Sequence, residues 1–157
     1  MSALKLQLEE FFLTRLNLVW HSPPKPQEVV SEFGFGYNVA RHKTEPRRFR
    51  LTFTMISKPR EKEPPAGYEM ESQIVGLFSF VEGVPENEMQ QLIRINGCTI
   101  LYGILRGQIA AATGSFVGGK FNLPTVMMDE VVQSIEADKK TVRENNKSQE
   151  AHRPKTN

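Results

Sequence analysis

The sequence predicts an α+β fold: a four-stranded antiparallel sheet followed by a long helix and a shorter C-terminal helix. Three observations carry this. Side chains alternate with period two in four separate runs between Leu4 and Phe80. From Met89 to Ala112 the apolar residues step by threes and fours instead, the period of a helix. The strand runs are joined without intervening helical stretches, which favours antiparallel pairing over parallel crossovers.

The first strand places Leu4, Leu6, Leu8, Phe12, Thr14, Leu16, Leu18 and Trp20 on one parity. Lys5, Gln7, Glu9, Arg15 and Asn17 fall on the other, so one face is expected inside and one outside. Glu10, Phe11 and Leu13 interrupt the alternation, which a bulge or a second covered face explains. Pro23, Pro24 and Pro26 then forbid a helix or a central strand, leaving an extended connection. In the second strand Phe33, Phe35, Tyr37 and Val39 alternate with Gly34, Gly36, Asn38 and Ala40. One face is aromatic and the other nearly bare. Glu45-Pro46 marks a turn. In the third strand Phe49, Leu51, Phe53 and Met55 alternate with Arg48, Arg50, Thr52 and Thr54. A charged loop from Lys58 to Gly67 leads to a fourth strand carrying Tyr68, Met70, Ile74, Phe78 and Phe80.

The long helix starts near Glu86, with Glu86 and Glu88 suited to its positive end. Gly97, Gly103 and Gly107 lie inside it, each costing about 1 kcal/mol against Ala in an isolated helix. Close approach of another helix would offset that cost. Gly114 to Lys120 reads as a loop, and Val126, Met127, Val131 and Ile135 as the shorter helix. The organisation expected is one domain over residues 1–137 and a polar, disordered tail over 138–157.

Composition narrows the functional classes. Apolar residues make up 39%, enough for an ordinary soluble core, and the net charge of +2 demands neither nucleic acid nor an anionic membrane as partner. The single cysteine, Cys98, cannot form an internal disulfide. No secretory leader is read at the start, and no apolar run reaches membrane-spanning length, so a cytoplasmic protein without membrane insertion is expected.

Catalytic and cofactor patterns fail on inspection. Gly114-Ser115-Phe116-Val117-Gly118-Gly119-Lys120 fits the first seven positions of a phosphate-binding loop, but Phe121 stands where Ser or Thr must hold magnesium. The segment also follows a helix rather than a strand. His21, His42 and His152 have no ligand-spaced partners, and Cys98 sits in an apolar helix. Neither an enzyme nor a bound metal or other cofactor is expected. Arg47, Arg48 and Arg50 around Phe49 raise an RNA-binding alternative, with a solvated strand face as the plainer reading. An apolar small-molecule or lipid-binding module is the other alternative, since a curved sheet under a helix can hold an apolar ligand.

At the long helix the sequence resembles a known family. The run Ile100-Leu101-Tyr102-Gly103-Ile104-Leu105-Arg106-Gly107-Gln108-Ile109 is similar to the Ile-Leu-Phe-Pro-Tyr-Ala-Arg-Glu-x-Ile run of the bacterial protein-export chaperone SecB. Ser115-Phe116 with Asn122-Leu123-Pro124-x-Val126 resembles that family's helix-connecting loop. Glu71-x-Gln73-x-x-Gly76-Leu77-Phe78-Ser79 resembles its fourth strand, and the likeness spans roughly Leu4 to Ile135. Gly103 and Gly107 depart from the family's Pro and Glu, and the positive charge departs from its acidic norm.

The resemblance implies an ATP-independent holding chaperone for unfolded polypeptides, assembled as a homotetramer, a dimer of dimers. Its partner would be the SecA motor or, in related proteins, an antitoxin-type client. The expected client groove is Trp20, Val29, Val30, Phe33, Phe35, Phe121, Met127 and Met128. The expected oligomer interface is Gly97, Ile100, Leu101, Gly103, Ile104 and Gly107. The motor-docking face would hold Arg15, Val19 and Glu71, with Arg15 and Val19 at positions that are acidic in the family.

Overall fold

The structure, a computed structural model, describes residues 4–60 and 62–151. Four strands form one sheet: β1 (Leu6–His21), β2 (Ser31–Arg41), β3 (Arg48–Pro59) and β4 (Gly67–Phe80). Their order is β1-β4-β3-β2, and every neighbouring pair is antiparallel. The helical part runs without a break through α1 (Glu86–Leu92), a π-helical turn (Ile93–Gly97) and α2 (Cys98–Thr113). After a loop comes α3 (Met128–Ala151). The chain divides into two compact units, up to Thr125 and from Val126 onward. Among the described residues no helix is long and apolar enough to cross a membrane.

The alternation in the sequence sets the layers. Phe49, Leu51, Phe53 and Met55 of β3 are buried, as are Tyr68, Met70, Ile74 and Phe78 of β4. These residues face the helix: Phe53 and Tyr102 of α2 meet edge to face with centroids 6.2 Å apart. Directly opposed residues on paired strands share a face, so Phe33, Phe35, Tyr37 and Val39 of β2 lie on the helix side, opposite Ser57, Met55, Phe53 and Leu51.

β1 reaches that side only with two corrections to its pattern. The register shifts between Leu8 and Glu10 and again between Leu13 and Arg15. Each shift inserts one residue and exchanges the faces. Leu6 and Leu8 therefore sit opposite Phe80 and Phe78 on the helix side, and Leu16, Leu18 and Trp20 return to it opposite Ser72, Met70 and Tyr68. Between the shifts Phe12 faces outward, opposite Val75, and is 45% exposed, where the simple alternation put it inside.

The helix lies tightly on the sheet. Ile93, Cys98, Leu101, Leu105 and Ile109 are wholly buried. The π turn adds a residue to the local winding and keeps Ile93, Gly97 and Cys98 all turned inward. At Gly97 a Cβ would stand 2.8 Å from Leu51 Cδ2, so only glycine lets the backbone approach this close. Glu86 and Glu88 fall in the first helical turn as expected. Hydrogen bonds from Gln90 and then Arg41 hold the Glu86 carboxyl below its ordinary value.

The C-terminal region differs from expectation. The tail read as disordered from Asp138 is helical as far as Ala151, and the last six positions, 152–157, lie outside the described residues. Its lack of apolar groups reports exposure, not disorder: it is rich in straight-chain residues of good helix propensity such as Lys139, Lys140, Arg143 and Glu144, with no Pro before 154. On α3 itself Met128, Val132 and Ile135 form one buried stripe.

Candidate functional site

On the helix side of the sheet, aromatic rings from five elements of the first unit meet in one run. Trp20, near the end of β1, packs on Tyr68 of β4 with centroids 4.9 Å apart. Tyr68 meets Phe121 of the α2–α3 loop edge to face at 5.4 Å. Phe121 meets Phe33 of β2 at 6.4 Å. Phe33 stacks on Phe35 at 6.4 Å, and Phe35 meets Tyr102 of α2 at 5.9 Å. All these separations lie in the range, roughly 4.5 to 7 Å, where rings attract. Tyr68, Tyr102 and Phe53 are buried and form the base. Trp20, Phe33, Phe35, Phe116 and Phe121 are half-buried and present the rest of their rings to the surface.

Period two explains why β2 supplies two adjacent rings. Phe33 and Phe35 share a face because they are two apart, and β2 has β3 on one side only, being the edge of the sheet. The loop is held over the base by hydroxyls. Tyr68 Oη donates to the Gly119 carbonyl at 2.5 Å, and Tyr102 Oη donates to the Pro124 carbonyl at 2.6 Å. Thr113 Oγ1 accepts the Phe121 N–H at 2.8 Å. Burial raises the pKa of Tyr68, and it raises that of Tyr102 against a smaller opposing pull from Arg106. Both phenols thus stay protonated donors at neutral pH.

The expected groove residues separate into three groups. Trp20, Phe33, Phe35 and Phe121 are brought together in the ring run. Val29 packs onto Gly67, whose φ of +108° and missing Cβ leave room for the Val29 methyl, and Val30 is 39% exposed in the same crossover. Met127 and Met128 belong to the second unit, where Met127 is 62% exposed and Met128 is buried in the first turn of α3. Sequence reading missed Tyr68, Phe116 and Tyr102. Tyr68 could have been found only from the β1–β4 register that sets it opposite Trp20.

The expected oligomer residues lie on two different sides of the helix. Gly97 and Leu101 are buried against the sheet of the same chain, which corrects their placement in an oligomer interface. Ile100, Gly103 and Gly107 are exposed, and Ile104 is half-buried beside them. Their spacing of three, four and seven places them on one outward stripe.

Arg15, Val19 and Glu71 do lie together, on the outer face of the sheet. The Arg15 guanidinium is ion-paired to Glu71. Val19, opposite Glu69, is 48% exposed. Of the three arginines behind the RNA alternative, Arg47 is tied to the Val81 carbonyl at 2.8 Å, and Arg48 contacts Glu45 and Glu9 at 3.0 and 3.3 Å. Among the described residues no group of three or more His, Cys, Asp or Glu could hold a metal ion.

Compared with known proteins, the chain matches no family model and no curated protein sequence. Among solved structures it is similar to a SecB-like chaperone of Mycobacterium tuberculosis, determined in complex with a ChAD peptide from the HigA1 antitoxin. The identity is 18% and the TM-score 0.62, covering 78% of this chain and 91% of that one. A protein of unknown function from Streptococcus agalactiae is also similar, with 9% identity and a TM-score of 0.44, over 79% of this chain and 100% of that one. The first likeness shows the fold, and the chain has a SecB-like α+β architecture.

Proposed function

We propose that this protein is a holding chaperone. It lays extended apolar stretches of an unfolded polypeptide on the aromatic run of the helix side, without nucleotide. The observation that carries this is the continuity of the rings from Trp20 through Phe121 and Phe33 to Phe35, half-open and joined to a buried base. Burying apolar area is worth roughly 25 cal/mol per Å². A long client touching several such rings, with copies in an oligomer, gains affinity from many weak contacts. The rings bring contact area but no nucleophile or acid–base pair, which suits holding rather than turnover. The SecB-like architecture supports the same reading, and the antitoxin peptide carried by the Mycobacterium tuberculosis protein points to client protection of that kind.

Assembly through the outward stripe Ile100, Gly103, Ile104 and Gly107 is part of the proposal, with a dimer of dimers as its form. Export through the SecA motor is the weaker branch. Arg15 neutralises Glu71 on the face where an acidic docking surface would be needed, so a basic partner finds little attraction there.

The test is aggregation of a denatured model protein, followed by light scattering with and without this protein and with ATP omitted throughout. Suppression at stoichiometric ratios is the expected result. Unchanged scattering from a folded preparation would remove the chaperone reading.

A further inference from the structure

The strongest feature outside the ring run is a cavity of about 550 Å³ at the β2–β3 hairpin end of the sheet. Ala40 of β2, Arg50 of β3 and Leu77 of β4 sit in one row across three strands on the outer face. Leu77 and Ala40 give this cavity an apolar floor. Its rim is basic. Arg41, Lys43, Arg48 and Arg50 line it, and Glu9 is the one lining carboxylate.

Counting neighbours leaves the rim positive. Arg48 contacts Glu9 at 3.3 Å and Glu45 at 3.0 Å, and Arg41 pairs with Glu86. Arg41 also lies over the Phe49 ring, 4.9 Å from its centroid, so its guanidinium is turned to the helix side and its charge is matched there. On the outer face three cations, Lys43, Arg48 and Arg50, thus meet two carboxylates, Glu9 and Glu45, and among the described residues Lys43 and Arg50 have no ion pair. The His42 Nδ1 accepts the backbone N–H groups of Thr44 and Glu45 at 3.3 and 3.1 Å, which pins the hairpin.

We propose that this cavity is a docking site for an acidic peptide segment with an apolar anchor residue, on the face opposite the client groove. The apolar floor selects the anchor, and the Lys43 and Arg50 charges select carboxylates on either side of it. A bare polyanion would leave the floor unused, and a purely apolar segment would leave the cations unmatched. Such a surface recruits a partner by charge complementarity, which acts mainly on specificity and encounter rate. Because the rim is solvated, its pull is screened beyond about 8 Å at physiological salt.

The test titrates the full chain with a short synthetic peptide holding one Phe between Asp and Glu residues, followed by amide NMR shifts. Two control peptides replace the Phe with Gly or the acids with Lys, and a short single-stranded RNA is the third control. The expected result is shifts at Ala40, Lys43, Arg50 and Leu77, weakening with salt. Lys43→Glu with Arg50→Glu should lower the affinity by on the order of tenfold or more, and the milder Lys43→Gln with Arg50→Gln should give a smaller loss in the same direction. Suppression of client aggregation should be unchanged in both variants. Equal binding of the Gly peptide or the Lys peptide, tighter binding of the RNA, or shifts confined to the ring run would each overturn the proposal.

Discussion

Gly118 lies against the indole of Trp20 so closely that a Cβ built on it would stand 2.4 Å from Trp20 Cε3. The loop after α2 therefore crosses the face of Trp20, and only a residue without a side chain can make that crossing. Gly118→Ala should push the loop and the indole apart. Overpacking of this kind typically costs about 1 to 3 kcal/mol. Trp20 is the single tryptophan, so tryptophan fluorescence reports on the surroundings of this one ring. A red-shifted emission and an earlier denaturant midpoint are expected, and an unchanged spectrum would mean that the loop does not rest there in solution.

The same loop is held by Tyr68 and Tyr102, and this gives it a pH dependence with a definite sign. Burial raises both phenol pKa values above the ordinary 10.0. The folded state thus binds protons more tightly than the unfolded one. The stability this contributes is fully present below about pH 10 and is lost as pH rises through the raised values. Tyrosinate absorbance should develop late, and amide exchange of residues 119–125 should accelerate beyond proportion above that pH. Tyr102→Phe should cost about 1 kcal/mol by freeing the Pro124 carbonyl and should remove part of the late absorbance.

Phe33 and Phe35 separate binding from stability. Phe35 touches the buried rings of Phe53 and Tyr102, whereas the ring contacts of Phe33 are with the half-buried Phe35 and Phe121. Phe35→Ser should therefore destabilise the fold, by about 2 to 4 kcal/mol on the scale of large-to-small changes. Phe33→Ser should cost less than half of that while weakening client holding at least as much. Thermal denaturation alongside aggregation assays checks both. A Phe33→Ser variant that holds clients normally would exclude β2 from the groove.

Gly103 and Gly107 carry a paired expectation for assembly. A Cβ at either meets nothing within 4 Å in the protomer. Gly103→Ala is then sterically free there and should gain up to about 1 kcal/mol of helix propensity. Gly103→Arg should instead lower the oligomeric mass in sedimentation, because the outward stripe would no longer admit a second helix. An unaltered mass would place the subunit contact elsewhere.

Much of the fold was legible because alternation and helical stepping report burial directly. β3 shows this best: every apolar residue from Phe49 to Met55 fell on its expected side. β1 is legible only in part: Glu10, Phe11 and Leu13 break the alternation and signal a bulge, but they do not reveal that there are two shifts or where each falls, so simple alternation places Phe12 inward. The helix from Asp138 to Ala151 is hidden for another reason: polarity tells of solvent exposure, not of backbone conformation. At the site, Phe33 and Phe35 were readable from parity. Tyr68, Phe116 and Tyr102 were not, because their roles depend on pairings between elements distant in sequence. Gly97 and Gly103 look alike in the sequence, yet one packs on Leu51 and the other faces solvent.

The holding account is tested most directly by photo-crosslinking an unfolded client, carrying a photoreactive apolar residue, to the intact protein without nucleotide. Crosslinked peptides should map to Trp20, Phe33, Phe35 and Phe121, and should be lost when excess unlabelled unfolded protein competes. Crosslinks that avoid these four positions, or that persist undiminished when excess unlabelled unfolded protein competes, would contradict it.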